Sequence, residues 1–293
     1  MGKKGGSLHL KREASPAFWP IHRKEFTWAV KPRPGPHSIN RCIPLVLIVR
    51  EILGLAKTRK EAKKIKYLFM VGDNVDGVGI FPGQESQINI KDIREQYAKL
   101  AELLSKIRKD VKIIMCPGQH DAVRVAEPQP AIPEKYAPKL HELENVFLVS
   151  NPAIVSISDS FKELKVLMYH GVSMNSIINE TDSLRLGNAY DNPSIVVKKM
   201  LERRHLSGQH SSMGITYIPT KQDYLLIREV PDIVTTADLH VADIGAYNNI
   251  LIITNSCWQS RTAFEEKVGH HPNPCKVPVF NLKTREIKIM DFS

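Results

Sequence analysis

With 293 residues, 42% of them apolar and 25% charged, the chain can bury a full hydrophobic core in one large domain or two small ones. Its net charge of +10 lies at one end: residues 1–66 hold 16 Lys and Arg against 4 Asp and Glu, a net +12, and residues 67–293 hold 25 against 27, a net −2. The longest apolar run, Cys42 to Val49, is eight residues long and contains Pro44, so neither a membrane span nor a secretory signal is expected, and four scattered cysteines with no CxxC pair read as reduced thiols in a cytoplasmic protein.

Residues 1–42 read as a basic leader without helical or strand period, its path broken by the KPRPGPH stretch. Such a leader is either an arm laid on nucleic-acid phosphates or a solvated segment with no partner. A single domain is expected over residues 43–293. Within it Val49, Ile52, Leu53 and Ala56 share one helical face, with Lys57, Arg59, Lys60, Lys63 and Lys64 opposite. That helix feeds an apolar strand, Tyr67 to Val71, that should be buried on both faces. The spacing of Ile93, Tyr97, Leu100, Ala101 and Leu104 predicts a helix over 92–106 capped by Asp92, crossing over to a parallel strand at 111–116. Four prolines between 122 and 138 require a surface excursion. A short helix at 140–144 and strands at 146–149, 154–157 and 164–169 follow, then a basic helix at 194–205. Strands at 231–234, 244–247, 250–254, 276–281 and 286–290 close the chain.

Four of these strands end in the same way. The first runs into Gly72-Asp73, the second into Gly118-Gln119-His120-Asp121, the third into His170-Gly171, and the fourth into Asp238-Leu239-His240. Taken alone, Asp73 could equally cap the next segment, and Asp76-Gly77 could be only a turn. Four strand ends that each deliver a carboxylate, amide or imidazole instead favour a dinuclear centre, because Asp, His and amide oxygen suit hard and borderline divalent metals.

The motifs GD, GQHD, HG and ADLH resemble, in order and spacing, the calcineurin-like metallophosphoesterases. Their context, GDNVDGVGIFPGQ, PGQHDAVRVAEPQP, SNPA, EVPDI, NSCWQ and PVFNLKTREIKIMDF, is similar to the small subunit of the archaeal family-D DNA polymerase, a relative of the B-subunits of eukaryotic replicative polymerases. The resemblance implies an α/β fold with a two-layer β-sandwich flanked by helices. It implies a pair of divalent metals, manganese before magnesium, and a 3′-5′ exonuclease activity on DNA that serves replication and proofreading. The expected partners are the large catalytic subunit of that polymerase and DNA, with no membrane. In that frame Asp73 bridges two ions, Gln119, His170 and His240 complete one, and Asp238 or His22 helps the other. His120, held by Asp121, acts as general acid, and Asp76 and Arg124 contact substrate.

The sequence departs from the resemblance in two respects. No oligonucleotide-binding fold fits before residue 65, so a short form or catalytic half is expected. The Asp-x-His that opens the metal motifs has only Pro20-Ile21-His22 as counterpart, so a weak first metal position is expected. That loss supports the rival reading, a metal-free scaffold holding the large polymerase subunit. Retention of Asp73, His120, His170 and His240 opposes it.

Overall fold

A computed structural model describes residues 62–158, 163–207, 217–218, 220–258, 266 and 270–292, together with two backbone strands at 18–22 and 27–28. The helix expected in the second half of 43–64, up to residue 61, and most of the leader lie outside the described residues. In chain order the strands are β1 (Phe18–His22), β2 (Thr27–Trp28), β3 (Tyr67–Val71), β4 (Lys112–Cys116), β5 (Val146–Leu148), β6 (Ala153–Ser158) and β7 (Glu163–Met168). They continue as β8 (Ile233–Thr236), β9 (Asp243–Tyr247), β10 (Ile250–Thr254), β11 (Lys276–Phe280) and β12 (Ile287–Asp291). The helices are α1 (Ile93–Leu104), α2 (Pro138–His141), α3 (Met174–Glu180), α4 (Asp182–Arg185) and α5 (Ser194–Arg203).

Two six-stranded sheets carry the fold, one in the order β12-β11-β2-β3-β4-β5 and the other β1-β6-β7-β8-β10-β9. Alternation along β3 explains why its sequence is apolar throughout. Tyr67, Phe69 and Val71 face the other sheet and pack in one cluster with Val155, Leu164, Val166, Met168 and Ile233. Leu68 points the other way and meets Tyr97, Leu100 and Leu104 of α1. The second sheet is covered likewise, Leu167, Val234 and Ile252 packing against Met174 and Ile177 of α3 and Val196, Val197 and Met200 of α5. The layers therefore run helix, sheet, sheet, helix, the helix-flanked two-layer β arrangement the sequence implied.

Helix α1 starts as expected: the Asp92 side chain accepts from the Arg94 and Glu95 backbone amides and satisfies donors that the first turn leaves open. β3 and β4 are parallel, with Tyr67 opposite Lys112 and Val71 opposite Cys116. β7 and β8 are parallel too, with Val166 opposite Ile233 and Met168 opposite Thr235. Each pair thus delivers its following loops at one end, where open α/β sheets place ligands.

Candidate active site

The two sheets bring their loop ends together through main-chain bonds. The Gly72 amide donates to the Cys116 carbonyl, 3.1 Å, which joins the loops after β3 and β4. The Ala237 amide donates to the His170 carbonyl, 2.8 Å, which joins those after β7 and β8. Across the sheets, His170 Nδ1 lies 3.0 Å from the Val71 carbonyl oxygen. A carbonyl only accepts, so Nδ1 carries a hydrogen, and Nε2 is the ring nitrogen left to hold either a second proton or a cation.

His170 Nε2 faces Asp73 Oδ1 and Asp238 Oδ1, each 3.5 Å away. It is buried without a hydrogen-bond partner. Asp73 Oδ1 also accepts from the His120 backbone amide, 2.9 Å, and Asp73 Oδ2 is 3.7 Å from His120 Nε2. Asp238 accepts from Gln119 Nε2 at 3.0 Å and from Asn175 Nδ2 at 2.9 Å. Asp73, Gln119, His120, His170 and Asp238 therefore share one site, as their strand-end positions implied. Asn175, in the first turn of α3, completes it. The sequence carried no clear signal for Asn175, because SMNSIINE is too short to show a period and Ser173, at its N-cap, makes no side-chain cap bond.

Three expected roles change. His120 is oriented by a backbone carbonyl: its Nδ1 lies 2.7 Å from the Asp76 oxygen. Asp121 instead turns inward. Its Oδ2 accepts from the Gly118 amide (2.9 Å), the Asn74 amide (3.1 Å) and Asn74 Nδ2 (3.0 Å), and its Oδ1 accepts from the Tyr97 hydroxyl (2.7 Å). Adjacent residues in a turn point apart, and the inward one became the clamp between the loops after β3 and β4. Arg124 donates from Nε and Nη2 to the Pro128 carbonyl, closing its own loop. His22 is described by its backbone alone. β1 pairs with β6 so that His22 stands opposite Ser158, and Ser158 stands opposite Glu163, the start of β7, whereas His170 follows its end. His240 belongs to the same turn as Asp238; its carbonyl accepts from the Asn273 amide, 3.1 Å.

Behind these groups lies a layer of buried amides. The His170 amide donates to Asn151 Oδ1 (2.8 Å), Asn151 Nδ2 donates to Gln129 Oε1 (2.7 Å), and Gln129 Nε2 donates to the Gly118 carbonyl (3.3 Å). Glu127 accepts from the Tyr169 hydroxyl, 3.0 Å, and burial pushes its carboxyl up to about 7.

Electrostatics decide the state of the centre. Burial works against a charged His170, but Asp73, Asp238 and the Val71 carbonyl outweigh it and raise its pKa to about 9. Burial and the Asp73 charge raise the Asp121 carboxyl to about 6. The His170 proton thus supplies the positive charge between two carboxylates. Among the described residues no three His, Cys, Asp or Glu side chains already stand at metal-binding spacing. The donor set nevertheless suits one divalent cation: an unpartnered imidazole nitrogen with its other N–H fixed by a carbonyl, two carboxylates facing it, and an amide beside them.

Residues 44–243 match the family model for the B-subunits of DNA polymerases alpha and epsilon, and residues 4–40 match a separate model, the RS4NT (NUC023) domain. The chain is 41% identical over 231 residues to the DNA polymerase II small subunit of Archaeoglobus fulgidus, covering 78% of this chain and 44% of that protein. It is 36% identical over 243 residues to the protein of the same name from Methanothermobacter thermautotrophicus, covering 82% and 48%. The chain therefore spans less than half the length of these relatives. A solved structure titled as a novel archaeal phosphodiesterase aligns over 90% of this chain at 10% identity with a TM-score of 0.39, a level at which neither fold detail nor activity transfers. No helix among the described residues is long and apolar enough to cross a membrane.

Proposed function

The chain belongs to the B-subunit family of DNA polymerases alpha and epsilon, and from that premise we propose that it works as the phosphodiesterase portion of a family-D DNA polymerase small subunit, removing nucleotides from DNA 3′ ends beside a large catalytic subunit. The observation that carries the reading is the centre itself: His170 Nε2 set between Asp73 and Asp238, with His120 on the other edge of Asp73.

Asp73, His170 and Asp238, with Gln119, would hold a divalent cation, manganese or magnesium. Bound there, the cation would supply the Lewis acidity that polarises a phosphodiester and eases deprotonation of an attacking water. His120, its Nδ1–H fixed on the Asp76 carbonyl, presents Nε2 toward the reacting groups. As water attacks phosphorus and releases its proton to solvent, the P–O3′ bond breaks and the leaving 3′ oxygen takes a proton from Nε2 of His120 in its doubly protonated form, which returns to the neutral ring with Nδ1–H kept on the Asp76 carbonyl. Asn175 and Gln119 hold Asp238 in place through its two oxygens. The Asp121 clamp keeps the His120 turn against the Asp73 turn.

A metal-free scaffold for the large subunit is the second reading. It is favoured by the pairing of β1, which sets His22 opposite Ser158, away from the end of the sheet where the loops of the site lie. The separating experiment strips the full chain with chelator, restores Mn²⁺, and follows a 5′-labelled single-stranded oligonucleotide. The exonuclease reading expects a ladder shortening from the 3′ end that EDTA, Asp73→Asn and His120→Asn each abolish. An intact oligonucleotide, with no heat of Mn²⁺ binding to the folded chain, leaves the scaffold.

A further inference from the structure

The loop after Gly77 exposes apolar side chains that the core does not need: Val78 is 38% exposed, Ile80 36% and Phe81 44%. Exposed aliphatic and aromatic tips are ordinary on a loose loop. This loop is braced. Gln84 Nε2 donates to the Asp76 carbonyl (2.9 Å), and Gln84 Oε1 accepts from the Ile80 amide (2.9 Å). Gln96, on α1, accepts from the Gly77 amide at 3.0 Å and donates to the Gly77 carbonyl at 3.0 Å and the Ile90 carbonyl at 2.8 Å. Both glutamines are 2% exposed, so buried amides hold an apolar tip out in water.

The tip adjoins the catalytic turn. A Cβ built on Gly77 would lie 2.5 Å from the His120 carbonyl oxygen and 2.7 Å from Ile80 Cγ1, so the Ile80 side chain and the His120 backbone share one small volume. The Asp76 carbonyl that receives Gln84 is the one that orients the His120 ring. At Gly79 and Gly83 an added Cβ would meet nothing within 4 Å, which leaves the loop backbone open to an approaching ligand. A ligand spanning both features needs a flat apolar part against Ile80 and Phe81 and a phosphodiester near His120. Three partly exposed side chains offer far less than the roughly 800 Å² per partner that a stable protein interface buries. One planar ring against one Phe is the scale of a single nucleobase.

We propose that Ile80 and Phe81 form a platform on which one base of single-stranded DNA stacks, presenting the adjoining phosphodiester to His120. The platform rests on the phosphodiesterase reading for its purpose, but its test needs no cleavage. The full chain in EDTA is titrated, by fluorescence anisotropy, into labelled dT15 and into the same strand carrying abasic sites at its last three 3′ positions. Base-on-aromatic stacking makes Phe81→Ala lose about tenfold in affinity for dT15, with Phe81→Trp retaining it. The abasic strand should bind the unaltered chain as weakly as dT15 binds Phe81→Ala, and Phe81→Ala should lose nothing further on it. Unchanged dT15 binding by Phe81→Ala overturns the platform, as does an equal loss on both strands or no dT15 binding by the unaltered chain. Phe81→Leu, which keeps apolar bulk, shows by circular dichroism whether the loop change disturbs the fold. Normal stacking with no cleavage in Mn²⁺ would remove the exonuclease and leave the platform; cleavage without a Phe81 effect would do the reverse.

Discussion

The site is assembled from residues in backbone conformations that side chains avoid. Asp73 has φ 47°, Asp238 φ 55° and His240 φ 58°, beside Gly72 at 79° and Gly171 at 112°. Left-handed backbone at a residue with a Cβ costs roughly 1–3 kcal/mol, and here three such residues lie in the two turns that carry Asp73 and Asp238. Gly118 meets a different limit: a Cβ there would lie 2.3 Å from Asp73 Oδ1 and 2.4 Å from the Asp73 backbone nitrogen. Backbone cannot yield as a side-chain tip can, so Gly118→Ala should displace Asp73. The expected result is lost Mn²⁺ binding by calorimetry in a chain whose far-ultraviolet circular dichroism is unchanged; Mn²⁺ binding at full affinity would show that Asp73 is not a ligand. His170 makes a prediction with a sign. Its folded-state pKa of about 9 lies above the unfolded 6.5, so the stability it contributes in chelator is complete below pH 6.5 and lost as pH rises toward 9. Urea unfolding in EDTA should show stability falling across that window, and His170→Gln should remove the slope; an equal slope in the variant would place its origin elsewhere. Asp73, Gln119, His120, His170 and Asp238 were legible because each follows a strand-like run, with a glycine close by for all but Asp238. Asn74, Gln129, Asn151 and Asn175 were not, because an amide that becomes buried looks in sequence like any loop amide.

Elements whose pattern arises from their own burial were legible; those placed by their neighbours were not. Helix α1 displays its buried stripe and its cap in the sequence, and β3 and β4 display two-sided burial. Helices α3 and α4 follow one another across Thr181, and α3 ends in Asn and Glu, residues with no strong end signal, so their existence depends on the cluster that Met174, Ile177, Ile178 and Leu184 join. The clearest coupling of element to site runs from α1. Tyr97 is fully buried, its hydroxyl donates to Asp121 Oδ1 at 2.7 Å and accepts from the Ala122 amide at 2.9 Å, and burial with the Asp121 charge raises its pKa far above the ordinary value. Tyr97→Phe keeps the ring and strands both partners, which should cost about 1–3 kcal/mol in urea unfolding. Because Asp121 would then hold the Gly118 turn less firmly, cleavage should fall by more than Mn²⁺ affinity does. A variant as stable as the parent would mean that water replaces the hydroxyl at no loss.

At the scale of the whole molecule, the decisive feature is that the proposed ligands come from both sheets. Asp73 and Gln119 follow β3 and β4 in one, and His170 and Asp238 follow β7 and β8 in the other. Apart from the apolar cluster between the sheets, the site is a principal polar link across them, and without metal it depends on one imidazolium between two carboxylates. A cation that replaces this proton would act on the fold as a cross-link, binding the native arrangement and not the separated strands. Mn²⁺ at a hundred times its dissociation constant should then add about 2.7 kcal/mol to the stability of the entire unit. The gain should be the same whether unfolding is followed by tryptophan fluorescence or by far-ultraviolet circular dichroism, because both sheets lose the link together. Asp73→Asn and Asp238→Asn, one in each sheet, should each abolish it. The expected metal dependence also rises with pH toward 9, since the cation competes with the His170 proton. If Mn²⁺ shifted only one spectroscopic probe, or if one of the two aspartates proved dispensable, the cation would belong to one sheet alone, and the convergence of strand ends would be a packing feature without a bound metal between the layers.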